Sequence, residues 1–187
     1  MQLAPVGDLK ALFATFAQFP SGVAALSALV PTQHDDGDGG QDAAEPVVLV
    51  ASSFQVGISA DPPLVLFAVQ HTSTSWPRLR AALTRPGALL GVSVLGEAHD
   101  AAARQLASKA LAGADRFAGI ATSTTASGAH FVCGAPMWLE CSVHSQVPAG
   151  DHDVVLLRVH AAASAPGTEP LVWHGSAFRA LQPRERA

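Results

Sequence analysis

The chain has 187 residues and a formal net charge of −4, and 49% of its residues are hydrophobic while 14% are charged. This composition excludes a disordered chain, and an acidic balance without a run of Lys or Arg argues against a nucleic-acid-binding protein. No apolar run is long enough to cross a membrane, and the first residues lack the pattern of a signal peptide. We therefore expect one cytoplasmic domain over residues 1–187, with apolar surface covered by a second copy in a homodimer.

The N-terminal third predicts a helix followed by two strands. Asp8 is a good N-cap for a helix whose apolar residues recur at helical spacing and which ends before Pro20. A strand over Val23–Val30 comes next. Residues 31–46 are acidic, Gly-rich and without periodicity, which indicates a long hairpin loop. A second strand, Val47–Ala51, follows.

Residues 51–80 place hydroxyl groups at both ends of a short β-element. Ser52-Ser53 end an apolar run, Asp61-Pro62-Pro63 form a stiff corner, and Leu64–Val69 reads as a buried strand. The cluster Thr72–Ser75 then lies at the start of a helix, predicted over Ser75–Leu83 with Ser75 as its N-cap. This arrangement suits a cradle for a phosphorylated aromatic ligand. Ordinary capping and turn chemistry explains it equally well.

The rest of the chain is dominated by strands separated by Gly-containing turns. Together with the strands above, they favour a β-barrel or sandwich with a few covering helices. The predicted elements are strands at Ala88–Leu95, Pro136–Val147, Asp153–Ala163, Leu171–His174 and near Ala177–Leu181, a helix at Glu97–Ser108, and a loop or short helix around Asp115–Phe117.

Several kinds of site are absent from the sequence. There is no dinucleotide-binding G-x-G-x-x-G after a strand, no phosphate-binding Gly-Lys-Ser/Thr loop and no G-x-S-x-G elbow. Cys141 and His144 lie three apart in a predicted strand, so they point to opposite faces and cannot share a metal ion. We predict no metal site, and we expect Cys133 and Cys141 to be free thiols.

His152 follows a turn signal, Gly150-Asp151, at the start of a predicted strand. A polar turn residue explains this position. An alternative is a proton donor or a group that positions a substrate at the rim of a barrel, because an imidazole changes its charge near neutral pH.

Seven segments in one order resemble the flavin reductase-like, FMN-binding split-barrel family. The resemblance covers roughly residues 8–182 and implies a mainly β fold, an FMN-binding split β-barrel with a few covering helices. The segments are SSFQVGISADPPLVLFAV, STSWPRLRAA, VSVLGE, LAS with DRFAGI, GAPMWLECSV, AGDH and PLVWHGSAFRAL.

The same resemblance implies a function. Members reduce FMN or FAD by hydride transfer from NADH or NADPH, and the reduced flavin often serves a separate monooxygenase. Three alternatives stay open: a split-barrel protein that holds FMN tightly and acts on another substrate, a flavin carrier without catalysis, and a split-barrel protein that has lost flavin and serves as an interaction module.

Site residues follow from the resemblance in four groups. Ala51, Ser52 and Ser53 would hold the flavin ring in a slot shaped by Phe54 and Pro62. Ser73, Thr74 and Ser75 would bind the phosphate at the helix start. Arg116 is the candidate cation, unless it forms a surface ion pair with Asp115. His152 would position the nicotinamide or assist protonation, and departures from the family pattern place reductant specificity near His152, Arg158 and Trp173.

Overall fold

The structure is a computed structural model that describes residue 3, residues 5–32 and residues 43–181. Within these residues no helix combines the length and the apolar character that a membrane crossing requires. Three α-helices and two 3-10 helices are present in this part of the chain: α1 (Leu9–Phe16), α2 (Ser75–Ala82), α3 (Asp100–Leu106), and the 3-10 helices Glu97–His99 and Gly113–Phe117.

Strands make up most of the regular structure. Their bounds are β1 (Ser21–Gly22), β2 (Ala24–Pro31), β3 (Ala44–Ala51), β4 (Gln55–Ala60), β5 (Pro63–Gln70), β6 (Leu90–Val94), β7 (Thr122–Thr124), β8 (His130–Val132), β9 (Met137–Ala149), β10 (His152–Ser164), β11 (Val172–His174) and β12 (Ala177–Arg179).

Seven of these strands form one antiparallel sheet in the order β3-β2-β6-β9-β10-β5-β4. Smaller sheets, β1-β11-β12 and β7-β8, lie beside it. The prediction of a mainly β fold with a few covering helices is confirmed. Its core contains the fully buried Phe67 of β5 and Leu79 of α2, and Phe67 meets Trp76 edge to face with ring centroids 5.1 Å apart. This packing fixes the start of α2 against β5.

Ser53 joins the two ends of the large sheet. It follows β3, and its hydroxyl accepts a hydrogen bond from the Ala68 N–H and donates one to the Ala68 carbonyl, both at 3.0 Å. These bonds take the place of a strand partner for Ala68, because β4 pairs with β5 only as far as Leu66. The link from β3 to β4 therefore closes the sheet upon itself beside β5.

Strand β4 was missing from the sequence prediction. Its residues are almost all exposed on both faces, so the strand lacks the alternation of apolar and polar residues that identifies a half-buried strand. The predicted hairpin loop 31–46 is also too long at both ends, because Pro31 pairs with Ala44 in the β2–β3 hairpin. Residues 33–42 of that loop lie outside the described residues.

Helix α1 begins at the predicted cap, since the Asp8 carboxylate accepts a hydrogen bond of 2.9 Å from the Lys10 N–H. Its apolar residues do not enter the core. Leu9, Phe13 and Phe16 are 66%, 63% and 60% exposed, and no residue of the helix is buried. The helix therefore presents an apolar face that the described part of its own chain leaves uncovered.

His130 of β8 is a buried histidine that sequence patterns did not single out. It is 6% exposed, its Nδ1 lies 2.7 Å from the Thr124 hydroxyl, and its Nε2 has no hydrogen-bond partner among the described residues. Burial lowers the pKa of His130 from its ordinary value of 6.5. Just below pH 6.5 the imidazole is therefore still neutral in the folded protein, whereas the unfolded chain already binds a proton there.

We expect this burial to make stability fall as the pH drops below 6.5, the ordinary pKa of His130. The unfolded state takes up the proton first, so the free energy of unfolding falls by up to about 1.4 kcal/mol per pH unit until the folded state is protonated as well. The free energy of unfolding can be measured with urea at several pH values from about pH 7.5 to about pH 5.5. It should fall less steeply with decreasing pH in His130→Gln than in the parent. The exposed His160 gives the control, His160→Gln, and an equal slope in all three proteins would contradict this account.

Candidate functional site

A cavity of about 550 Å³ opens between the end of β3, the end of β5 and the start of α2. The α3 helix and the 3-10 helix Gly113–Phe117 complete its wall, and β10 begins at its edge. All but two of the predicted site residues line this cavity: Ala51, Ser52, Ser53, Ser73, Thr74, Ser75, Arg116 and His152.

Arg116 lies at one end of the cavity and is held in place by backbone carbonyls. Its Nε donates to the Leu111 carbonyl at 3.0 Å, and its Nη1 donates to the Val48 carbonyl at 3.3 Å and to the Ser75 hydroxyl at 3.2 Å. Among the described residues it forms no ion pair, so the alternative of a pair with Asp115 is wrong. Arg116 is half-buried, and its Nη2 donates no hydrogen bond to any described residue, so its donors can serve a ligand.

The start of α2 differs by one residue from the prediction. Thr74 is the N-cap rather than Ser75, and it makes no side-chain capping bond. The Ser73 hydroxyl instead accepts a 3.2 Å hydrogen bond from the Trp76 N–H. Ser75 is thus free to face Arg116. Two hydroxyls, the positive end of the helix dipole and a guanidinium converge here, which is a suitable arrangement for a phosphate group.

Ser52 and Ser53 lie at the other end of the cavity and differ in what they can offer a ligand. The Ser53 hydroxyl proton is already donated to Ala68, so Ser53 can only accept a further hydrogen bond. Ser52 is exposed to the cavity, and its hydroxyl makes no hydrogen bond to any described residue. Ser52 is the one of the pair that keeps both donor and acceptor capacity.

Phe54 and Pro62 do not line the cavity within one chain. Phe54 is 8% exposed and packs in the main core. Pro62 lies in the turn between β4 and β5, six positions before Ala68, which corresponds to about 20 Å along an extended strand. The cavity is therefore lined without these two side chains.

His152 stands at the edge of the cavity at the start of β10. Gly150, with φ of 69°, makes the left-handed turn that precedes it. The His152 Nδ1 lies 2.7 Å from the Asp151 carboxylate, and the hydrogen bond and charge of His152 lower the pKa of Asp151. Because an ionised carboxylate only accepts, Nδ1 carries the proton and Nε2 remains available to a ligand.

The sequence interpretation missed Lys109, which also lines the cavity. With Arg116 and His152 it gives the cavity three basic side chains, whereas the lining residues among those described include no Asp or Glu. The whole chain carries a formal charge of −4, so this basic concentration is local and favours an anionic ligand. No motif marks Lys109, and only its place after α3 brings it to the cavity.

Arg158 does not belong with His152. Both lie on β10, but six positions separate them, or about 20 Å along the strand. The expectation that Arg158 and His152 share one specificity region is therefore wrong. Trp173 lies nearer, in a second cavity that has Ser52 in common with the first. Within the described residues no group of His, Cys, Asp and Glu is arranged to hold a metal ion.

Residues 16–182 match the family model described as a flavin reductase like domain. The match covers most of the chain, and its segments include the β3–β5 region, the start of α2 and the start of β10 that form the cavity. The chain belongs to this family.

Individual relatives and solved structures are also similar to this chain over most of its length. The chain is 36% identical over 165 residues to the actinorhodin polyketide dimerase of Streptomyces coelicolor, covering 88% of this chain and 82% of that protein. It is 32% identical over 178 residues to an NADH-dependent FAD reductase of Streptomyces globisporus, covering 94% and 87%. The solved NADH:FAD oxidoreductase of Streptomyces globisporus superposes with a TM-score of 0.79 at 31% identity, covering 98% of this chain and 99% of the other.

Proposed function

We propose that this protein is an NAD(P)H-dependent flavin reductase that binds FMN or FAD in the 550 Å³ cavity. The observation that carries the proposal is the difference between the two ends of this cavity. Arg116 meets Ser75 and the start of α2 at one end, while Ser52 offers a free hydroxyl at the other. The two ends of a flavin differ in the same way, since a phosphate chain lies at one end and a planar ring with carbonyl groups at the other.

The residues at the basic end would bind the phosphate. Arg116 already has its Nε and Nη1 fixed by carbonyls, so little side-chain entropy is lost when Nη2 contacts an anion. Ser73, Thr74 and Ser75 supply hydroxyls. The backbone N–H groups of Thr74 and Ser75, at the start of α2, are added to these, whereas the N–H of Ser73 already donates to the Gln70 carbonyl at 3.0 Å. Ala51 and Ser52 would hold the ring, with Ser53 as an acceptor beside them.

The role of His152 would be to position the second substrate. The nicotinamide and the flavin supply the electronics of hydride transfer, so the protein has mainly to orient and to exclude water. Asp151 holds the His152 ring by Nδ1 and directs Nε2 away from itself. His152 can then donate or accept a hydrogen bond at the open side of the cavity.

The test is to mix purified protein with NADH or NADPH and, in turn, FMN, FAD or riboflavin. Loss of the near-ultraviolet absorbance of the reduced nicotinamide, dependent on the flavin, is the expected result. Absence of turnover with every pairing would overturn the proposal. A visible flavin spectrum in the purified protein that does not exchange with added flavin would instead favour a tightly held FMN.

The closure of the large sheet by Ser53 and the family match support a split-barrel fold, and the uncovered face of α1 supports a homodimer as part of this proposal. A short amphipathic helix gains most of its stability from burying its apolar face. Val56 and Ile58 on the edge strand β4 are exposed apolar side chains as well. A second copy of the chain is the occupant that would cover both surfaces.

Phe13→Glu is expected to shift the protein towards the monomer, because a carboxylate cannot be buried in an apolar interface without a partner. Sedimentation equilibrium at several protein concentrations would measure the change. Lys10→Glu alters charge on the same helix without touching the apolar face, and it should leave the dimer intact. A parent protein that is monomeric at every concentration would refute the dimer.

The reaction proposed here produces free reduced flavin, for which a monooxygenase is the expected consumer. Relatives include a reductase subunit of a flavin-dependent monooxygenase in Rhodococcus jostii.

A cytoplasmic location completes the proposal, because both cysteines are free and Cys133 is exposed, which suits a reducing compartment.

A further inference from the structure

A second cavity of about 480 Å³ adjoins the first, and we call it the annex. It is enclosed by α3 and by the paired strands β11 and β12. Val50, Ser52 and Ala107 line both cavities, so the annex lies beside the end of the first cavity that holds Ser52.

The walls of the annex carry aromatic rings that remain accessible. Trp173 and Phe178 meet edge to face with centroids 5.1 Å apart, and both are only partly buried. The Arg104 guanidinium lies over the Phe178 ring at 4.8 Å from its centroid and also pairs with Asp100 at 2.7 Å. An indole, a phenyl ring and a guanidinium are the groups on which nucleobases stack.

The position of the annex distinguishes between the molecules that could enter it. Arg116 contacts the Val48 carbonyl, whereas the annex reaches Ser52, four positions further along β3 and its extension, or about 13 Å away. A group attached beyond the phosphate of the flavin would have to fold back over this distance. A group attached to a nicotinamide that meets the ring near Ser52 would have the annex beside it.

We propose that the annex binds an adenine ring, that of NADH or NADPH in preference to that of FAD. Trp173 and Phe178 supply the stacking surface, and the exposed Arg104 guanidinium lies over Phe178 beside it. This assignment rests on the proposed function for the identity of the dinucleotide. The affinity of the annex for adenine itself does not depend on catalysis.

The experiment compares the parent with Trp173→Leu, which keeps an apolar side chain and removes the stacking surface. We expect KM for NADH to rise roughly tenfold, because stacking on an aromatic side chain contributes about that factor per base. KM for reduced nicotinamide mononucleotide, which lacks the adenosine, should not change. Titration calorimetry with AMP, which needs neither flavin nor turnover, should show the same loss of affinity.

Two controls keep the result interpretable. Trp173→Phe retains an aromatic ring and should restore most of the affinity for NADH and AMP. His174→Leu changes the next residue of β11, whose side chain points to the opposite face, and should behave as the parent. Unfolding temperatures of all variants show whether the strand pairing has survived.

The outcomes separate the two sources of adenine and the two levels of the proposal. If Trp173→Leu weakens FAD binding but leaves FMN binding and the KM for NADH unchanged, the adenine in the annex is that of FAD and the preference for NADH or NADPH is wrong. Equal effects on NADH and on the mononucleotide, or AMP affinity that Trp173→Leu leaves unchanged, would overturn the annex assignment. A parent that binds AMP through Trp173 but turns over no flavin would refute the reductase proposal and keep the adenine site.

Discussion

Replacing Arg116 with glutamine is expected to weaken FMN binding by roughly ten- to a hundredfold and riboflavin binding by no more than about threefold. Arg116 lines the cavity, and its Nε and Nη1 are already bound by the Leu111, Val48 and Ser75 oxygens, which leaves Nη2 to meet the ligand. A hydrogen bond between charged partners contributes about 1.5–3 kcal/mol, and only FMN carries the phosphate that would receive it. Fluorescence titration of both flavins at two salt concentrations measures the difference.

The control for charge alone is Arg80→Gln, since Arg80 belongs to the same helix as Ser75 but does not line the cavity. It should leave both flavins unaffected. Arg116→Lys keeps the charge without the planar fork and should give an intermediate loss for FMN. Because Arg116 also ties two carbonyls, the unfolding temperature of each variant must be compared. Equal losses for FMN and riboflavin would contradict the phosphate assignment.

His152→Ala is expected to lower kcat by roughly ten- to a hundredfold while the flavin dissociation constant changes by less than about threefold. The side chain lies at the rim of the cavity, and its Nε2 is directed by the 2.7 Å bond between Nδ1 and Asp151. Loss of the imidazole removes a positioning contact for the nicotinamide and leaves the binding groups of the flavin in place. Steady-state rates and flavin titrations on the same preparation provide both quantities.

Two further variants show whether the imidazole or the loop is responsible. Asp151→Asn removes the charge beside Nδ1 and should lower kcat less than His152→Ala does. His71→Ala is the matched control, because His71 pairs with Asp153 at 3.2 Å outside the cavity and should leave kcat unchanged. Unchanged rates in His152→Ala would reduce His152 to a polar turn residue.

The strands and helices were predictable where a pattern was local. The capped start of α1, the hydroxyl cluster before α2 and the long β9–β10 hairpin each lie within one continuous stretch of sequence. Strand β4 failed because both of its faces are exposed, which leaves no periodicity to detect. The predicted N-cap of α2 failed because three consecutive hydroxyl residues all satisfy the capping rule, and packing of Trp76 on Phe67 decides among them.

The candidate site was predictable in part because two of its ends come from neighbouring segments. Ser52 and Ser73 are separated by one hairpin, so a sheet brings them to the same edge. The resemblance also assigned Pro62 to the slot, but Pro62 lies at the far turn of that hairpin. Lys109 was missed because nothing in its neighbourhood marks it, and only the path of the chain after α3 gives it a position at the cavity.

The closure of the sheet by Ser53 has a consequence for the way a ligand and the fold support each other. Since β4 leaves β5 after Leu66, β5 beyond Ala68 has no neighbouring strand on that side among the described residues, and the cavity lies along this edge. A bound flavin would act as a substitute strand at this edge. The Ala68 N–H is already bonded to Ser53, and the N–H of Gln70, two positions on, faces the same edge. Flavin binding should therefore slow amide hydrogen exchange at Gln70 more than elsewhere in the large sheet.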